Sequence, residues 1–133
     1  MTHIPEGFAP ITPYFLVEDP RAFIDFLKAA FGAEERLVSE DEGRIAHAEV
    51  SVFGSVLEIG CPKGEFTATR MNLHVYVTDP DAVLARAIQA GAAELYPAAD
   101  HDYGERSGGV SDRWSNQWYI AKVTDHKKRN SAE

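Results

Sequence analysis

Residues 15–35 read FLVEDPRAFIDFLKAAFGAEE, and residues 75–94 read VYVTDPDAVLARAIQAGAAE. The second stretch repeats the first. Val17, Asp19, Pro20, Ala22 and Ala30 recur as Val77, Asp79, Pro80, Ala82 and Ala90, an offset of 60 each time. After one deletion, Gly32, Ala33 and Glu35 recur as Gly91, Ala92 and Glu94, an offset of 59. A long period seen only twice does not suit a solenoid, which needs about three or more units to bury its core. It suits two copies of one supersecondary module facing each other across a pseudo-symmetric cleft, and that cleft is where function is expected.

Each copy predicts its own local structure. Asp19-Pro20 and Asp79-Pro80 are helix starts, with an acceptor side chain at the N-cap and proline at the first helical position. Phe23, Phe26, Leu27 and Ala30 then form one apolar stripe, as do Val83, Leu84, Ala87 and Ile88. Gly32 and Gly91 supply the stops. Phe23, Phe26 and Phe31 are assigned to the core.

Strands are expected at about 11–17, 35–39, 44–52 and 55–60, separated by turn formers at 40–43 and 53–54. In the second copy they are expected at 72–77, 93–97, 104–110 and 117–123, the third of these loosened by Gly108-Gly109. The order is βαβββ, βαβββ. With no Gly/Ser-rich linker between them, the halves are expected to form a single domain over 1–133. Module 1 covers about 9–62, module 2 about 68–124, and 125–133 form a polar, frayed tail.

The bulk properties bound the function classes. The chain has 133 residues, 44% hydrophobic and 26% charged, which is ordinary for a soluble domain with a sizeable core. Net charge is −8, and the one basic cluster, Lys127-Lys128-Arg129, sits in the tail, so neither nucleic acid nor a membrane is expected as a partner. No apolar run reaches the roughly 18 residues of a membrane span, and the N-terminal residues lack a signal pattern. A cytoplasmic protein is the expectation, and the lone Cys61, which no local motif activates, fits a reducing compartment as a half-buried bystander.

Three further segments accompany the duplication: IAHAEVSVFGS at 45–55, YGERSGGVSD at 103–112, and WSNQW at 114–118. With the two strand-Asp-Pro-helix-Gly units, they resemble the vicinal oxygen chelate superfamily. That superfamily includes glyoxalase I, bleomycin-resistance proteins, fosfomycin-resistance enzymes and extradiol dioxygenases. The resemblance covers about residues 9–124. In the small glyoxalase-like proteins it most resembles, an Asp-Pro-Phe-Gly-Asn turn precedes the last strand. Here that turn reads Asp112-Arg-Trp-Ser-Asn116, with both Pro and Gly replaced. The implied fold is α+β: two βαβββ modules forming a pseudo-symmetric, partly open, eight-stranded barrel-like cleft with helices outside.

Metal enzymes of this superfamily take ligands from the first and last strands of each module. The corresponding positions here are Thr12, Glu58, Asn72 and Tyr119, of which only Glu58 is a good divalent-metal ligand. Catalytic metal sites usually keep about three protein ligands and an open position, so this set argues against the usual centre and no cofactor is favoured. Sliding two residues along the same strand face brings in Tyr14 and His74. His47 and Glu49 also share a face. A set of His47, Glu49, Glu58 and His74 is chemically adequate for zinc, nickel or iron. A divalent metal therefore stays open, held by Glu58 with His47 or His74.

Tyr14, Tyr76, Tyr103, Trp114, Trp118 and Tyr119 offer aromatic walls for a small molecule, and Arg106 is the basic group placed to bind a carboxylate. No nucleophile elbow or phosphate loop occurs. Two functions follow from the resemblance. The first is a metal-free small-molecule binder like the bleomycin-resistance proteins. The second is a metal-dependent lyase, isomerase or dioxygenase of the glyoxalase type. A regulatory domain with a vestigial cleft is the third possibility. The resemblance also implies a homodimer.

Overall fold

The computed structural model describes residues 3–131. The chain divides between Thr69 and Arg70 into two compact units. The first contains β1 (Tyr14–Leu16), α1 (Pro20–Phe31), β2 (Glu34–Asp41), β3 (Arg44–Val52) and β4 (Ser55–Gly60). The second contains β5 (Asn72–Tyr76), α2 (Pro80–Gln89), β6 (Ala93–His101), β7 (Glu105–Ser111), β8 (Gln117–Val123) and a short α3 (His126–Ser131). The eight strands form two four-stranded sheets of identical topology, β1-β4-β3-β2 and β5-β8-β7-β6. In each, the first strand is parallel to the last and the other pairs are antiparallel. The sequence repeat is thus a repeat of sheet order.

Both helices begin as their caps dictate. Asp19 accepts from the Ala22 amide and Asp79 from the Ala82 amide, each at 3.2 Å. In the first unit the chain alternates cleanly in β3: Ala48, Val50 and Val52 are buried, while His47, Glu49 and Ser51 are half-buried. Phe15 packs against Phe23 of α1 with tilted rings whose centroids are 5.1 Å apart, so Tyr14 and Leu16 point away from the helix. Phe23, Ile24 and Leu27 are completely buried and, with Phe26 and Phe31, fill the helix side of this sheet.

Five sequence expectations change. The first strand is Tyr14–Leu16 rather than 11–17, because Pro13 has no N–H to donate. Its carbonyl still accepts from the Glu58 amide at 2.9 Å, while Ile11 is 87% exposed. The sixth strand runs on through Pro97 to His101, which an edge strand tolerates by shifting register between Tyr96 and Ala99. Gly108 and Gly109 do not loosen β7: both are buried beneath close neighbours. Residues 126–131 of the supposed frayed tail are helical, with the Lys128 amide bonded to the Asp125 carboxylate at 3.0 Å. Ala132 and Glu133 lie outside the described residues. Cys61 is exposed rather than half-buried.

The surface carries two ion-pair clusters that tune acid stability. Glu35 is bonded by Lys28 and by Arg21, and Asp81 receives the Arg106 fork. The Lys28 hydrogen bond holds the Glu35 carboxyl below its ordinary range, and the Arg106 hydrogen bond does the same for Asp81. A depressed folded-state value means that the stabilisation is present above the ordinary carboxylate range and is lost as pH falls through the folded-state value. Melting temperature should therefore fall between about pH 5 and pH 3, with a shallower slope in Asp81→Asn; an unchanged slope would contradict the assignment. The effect is expected to be small because both carboxylates are solvated.

Candidate functional site

On the face of the first sheet away from α1, antiparallel pairing sets Glu49 directly opposite Glu58, and parallel pairing sets Tyr14 beside Glu58. His47 is two residues from Glu49 on the same face. Its Nε2 lies 3.5 Å from a Glu49 carboxylate oxygen and 3.5 Å from a Glu58 carboxylate oxygen. Tyr14 meets the His47 ring edge-on at 5.9 Å. Gly60 makes this possible: a Cβ there would sit 2.7 Å from the Tyr14 hydroxyl. The sheet thus gathers one imidazole, two carboxylates and one phenol, all half-buried or exposed.

Glu49 and Glu58 open into a pocket of about 490 Å³. Its other wall is the segment before β1: His3, Ile4, Pro5, Phe8, Ala9, Pro10 and Thr12. Arg36 of β2 ties that segment down, donating to the Glu6 carbonyl at 2.8 Å and lying over the Phe8 ring at 5.6 Å. The pocket therefore has an acidic wall from the sheet and an apolar wall from the segment, with no Lys or Arg among the residues lining it. Sequence reasoning missed the second wall, since a proline-rich stretch without periodicity carries no sign of what it packs against.

The pairing register shows which neighbours the expected ligand positions have. Thr12 lies outside β1 and its hydroxyl donates to the Ala9 carbonyl at 3.3 Å, leaving Tyr14 as the neighbour of Glu58. In the second sheet His74, not Asn72, lies beside Tyr119. Asn72 pairs with Gln117, and the Tyr119 hydroxyl sits 3.2 Å from the Asn72 side-chain oxygen and 2.5 Å from that of Gln117. Across the first and last strands the directly paired residues are Tyr14 with Glu58 and His74 with Tyr119.

Three acceptors within one unit nonetheless suit a cation. One ligand atom from each of His47, Glu49 and Glu58 lies within 4.8 Å of the others. Atoms bound to zinc at 2.0–2.2 Å are about 3–4 Å from one another, so small rotamer adjustments would let these three residues hold a divalent ion. His74 belongs to the second unit, where its imidazole lies 3.7 Å from a Glu105 oxygen.

Two other candidates occupy different ground. Trp118 is buried at 1% exposure on the helix side of β8, and its indole N–H donates to Asp112 at 2.9 Å. Arg106 shares the helix side of β7 with Gly108 and Val110. It makes a fork to both Asp81 oxygens of α2 at 2.7 Å and reaches Asp100 at 3.3 Å. These contacts hold its guanidinium even more firmly protonated than usual and engage it structurally.

Comparison with known proteins gives the fold its place. No protein-family model matches the chain. The uncharacterized protein Mb0911c of Mycobacterium bovis is 29% identical over 124 residues, covering 84% of this chain and 82% of its own length. Rv0887c of Mycobacterium tuberculosis, also uncharacterized, is 29% identical over the same share of this chain and 73% of its own. Among solved structures, TioX from Micromonospora sp. ML1 superposes with a TM-score of 0.74 at 24% identity, covering 88% of this chain and 98% of that one. A glyoxalase-related enzyme from Fulvimarina pelagi gives 0.70 at 20% identity, covering 86% and 87%. A glyoxalase/bleomycin resistance protein/dioxygenase family enzyme from Burkholderia phytofirmans gives 0.67 at 16%, covering 83% and 94%.

Proposed function

We propose, starting from the vicinal oxygen chelate fold that the chain carries, that it binds a small molecule in the manner of the glyoxalase/bleomycin-resistance proteins. The ligand enters the pocket between the Glu49–Glu58 wall and the 3–12 segment. The observation supporting this is the pocket's asymmetry: two carboxylates on one side, Ile4, Pro5, Phe8 and Pro10 on the other, and no Lys or Arg among the described residues that line it. A pocket with few polar groups on an apolar background orients its ligand by those groups. The matching ligand has an apolar body and a cationic or hydrogen-bond-donating end, which the net charge of −8 also attracts. Tyr14 and His47 supply the aromatic edge beside the carboxylates. The homodimer implied by the resemblance is part of the same proposal.

A thermal-shift screen with cationic aromatic compounds tests the reading. A ligand present at 100 times its dissociation constant should stabilise the protein by about 2.7 kcal/mol. Glu58→Gln, which removes a charge-assisted hydrogen bond, should weaken that ligand by about 10–100-fold. Equal affinity in wild type, Glu58→Gln and Glu49→Gln would refute this pocket as the site.

One observation favours a second reading. The convergence of His47, Glu49 and Glu58 suits a divalent ion, which when bound would supply Lewis-acid chemistry for a lyase, isomerase or dioxygenase of the glyoxalase type. In that case these residues hold the ion and Tyr14 orients His47. Metal analysis after loading with zinc, nickel, manganese or iron separates the two. Stoichiometric metal that is lost in both Glu58→Ala and His47→Ala selects the metal-dependent reading.

A further inference from the structure

The second sheet buries a carboxylate on the side away from its helix. Glu105, at the start of β7, has a side chain only 5% exposed. The Tyr76 hydroxyl donates to it at 2.7 Å, reaching across β8 because the intervening residue is the small, fully buried Ala121. His74 stands beside Tyr76 with ring centroids 4.7 Å apart, and both rings remain exposed. The balancing positive charge comes from Arg129. Its Nε donates to the same Glu105 oxygen at 3.2 Å and its terminal nitrogen to the Tyr76 hydroxyl at 3.4 Å.

Arg129 is supplied by the weakest element of the unit. α3 has six residues and none is buried. Helices below about 12–15 residues are marginal unless packing supports them, and α3 is held by little besides the Asp125 cap, the seat over Gly104 and Arg129 itself. Of the strands that carry the site, β7 is paired on both sides and β5 on one. The partner of a buried carboxylate therefore sits on a piece of chain that can detach without disturbing the sheet. What remains is a receptor made of sheet residues: the Glu105 carboxylate, a phenol that can accept or donate, and two exposed rings at its rim. Buried carboxylates are costly unless paired, so the receptor favours a replacement cation.

We propose that Glu105, Tyr76 and His74 form a binding site for a small molecule bearing a guanidinium group, which Arg129 occupies as an intramolecular stand-in and from which it is displaced by the ligand. The site suits guanidinium better than ammonium, since the planar fork bonds carboxylate and phenol together. This site uses no residue of the Glu49–Glu58 pocket, so either can fail without the other.

Methylguanidinium at millimolar concentrations is the probe, with n-butylammonium for comparison, titrated into the full-length chain while the His74 ring resonances and melting temperature are followed. Because a competing internal group lowers apparent affinity by the fraction of time it vacates the site, Arg129→Ala should bind the probe about tenfold or more tightly than wild type. The probe should also recover part of the melting temperature lost in that variant. Arg129→Lys keeps the charge without the fork and should give intermediate affinity. Arg129→Ala combined with Glu105→Gln should lose the gain. The proposal is overturned if wild type, Arg129→Lys and Arg129→Ala bind alike or if the double variant binds as Arg129→Ala does. Butylammonium binding as tightly as methylguanidinium would overturn the guanidinium assignment.

Discussion

Asp112→Ala is expected to destabilise the protein by about 3–5 kcal/mol, the largest loss from any single polar side chain here. Asp112 is 6% exposed, and its carboxylate is the hub of the turn before β8. One carboxylate oxygen accepts from the Trp114 amide at 2.9 Å and the Asn116 amide at 3.0 Å. The other accepts from the Asn116 side-chain amide at 3.1 Å and from the Trp118 indole at 2.9 Å. Asn116, itself 1% exposed, passes the order on by accepting from the Met71 amide at 2.9 Å, just before β5. Alanine would strand several buried donors at once, and each unsatisfied group costs about 1–3 kcal/mol, with incomplete additivity. Asp112→Asn should recover little, because one accepting oxygen becomes a donor facing other donors. Urea denaturation measures the outcome; a loss below about 1 kcal/mol for Asp112→Ala would show that water replaces the carboxylate.

Gly108→Ala should cost about 1–3 kcal/mol although it adds only a methyl group. A Cβ at Gly108 would meet Leu84 of α2 at 2.6 Å and the backbone nitrogen of Ala98 at 2.9 Å. The leucine can rotate, but Ala98 is backbone in the register shift of β6 between Tyr96 and Ala99, so relief there has to move the edge strand itself. Gly109 is under the same constraint on the opposite face, where the Tyr96 ring lies 2.6 Å from its would-be Cβ. The paired glycines thus let a helix and an aromatic ring approach β7 from both sides. Calorimetry on Gly108→Ala against a substitution at the exposed Lys122 distinguishes this from ordinary strand propensity; a melting temperature equal to wild type would refute it.

The Asp112–Asn116 turn shows how far a pattern in sequence carries and where it stops. Where the resembling proteins have Pro and Gly, this chain has Arg113 and Ser115. Ser115 adopts φ +69, the left-handed conformation that glycine would take more easily. The four hydrogen bonds into the Asp112 carboxylate hold the turn in shape despite that penalty, and Arg113 instead lies over the Trp114 ring at 4.6 Å. The departure from the pattern was readable; its compensation was not, because it depends on the Trp118 indole being brought to the Asp112 carboxylate and the Met71 amide to Asn116. Tyr76 and Arg129 were hidden for a similar reason. One read as a strand aromatic and the other as tail charge, and only pairing through β8 and the turn at Gly104 brings both to Glu105.

The sequence by itself determined the elements and their duplication: the Asp-Pro helix starts, the apolar stripes of α1 and α2, and the strands of each module in order. Those signals are local, since a cap bonds within its own first turn and a stripe follows the 3.6-residue period of one helix. The tertiary structure alone decided which side chains meet. A strand shows opposite faces to successive residues, so the pairing register, which no single strand contains, placed Tyr14 rather than Thr12 beside Glu58 and turned Arg106 toward α2. The same register gathered His47, Glu49 and Glu58 from two strands and set Glu105 within reach of Tyr76 and Arg129.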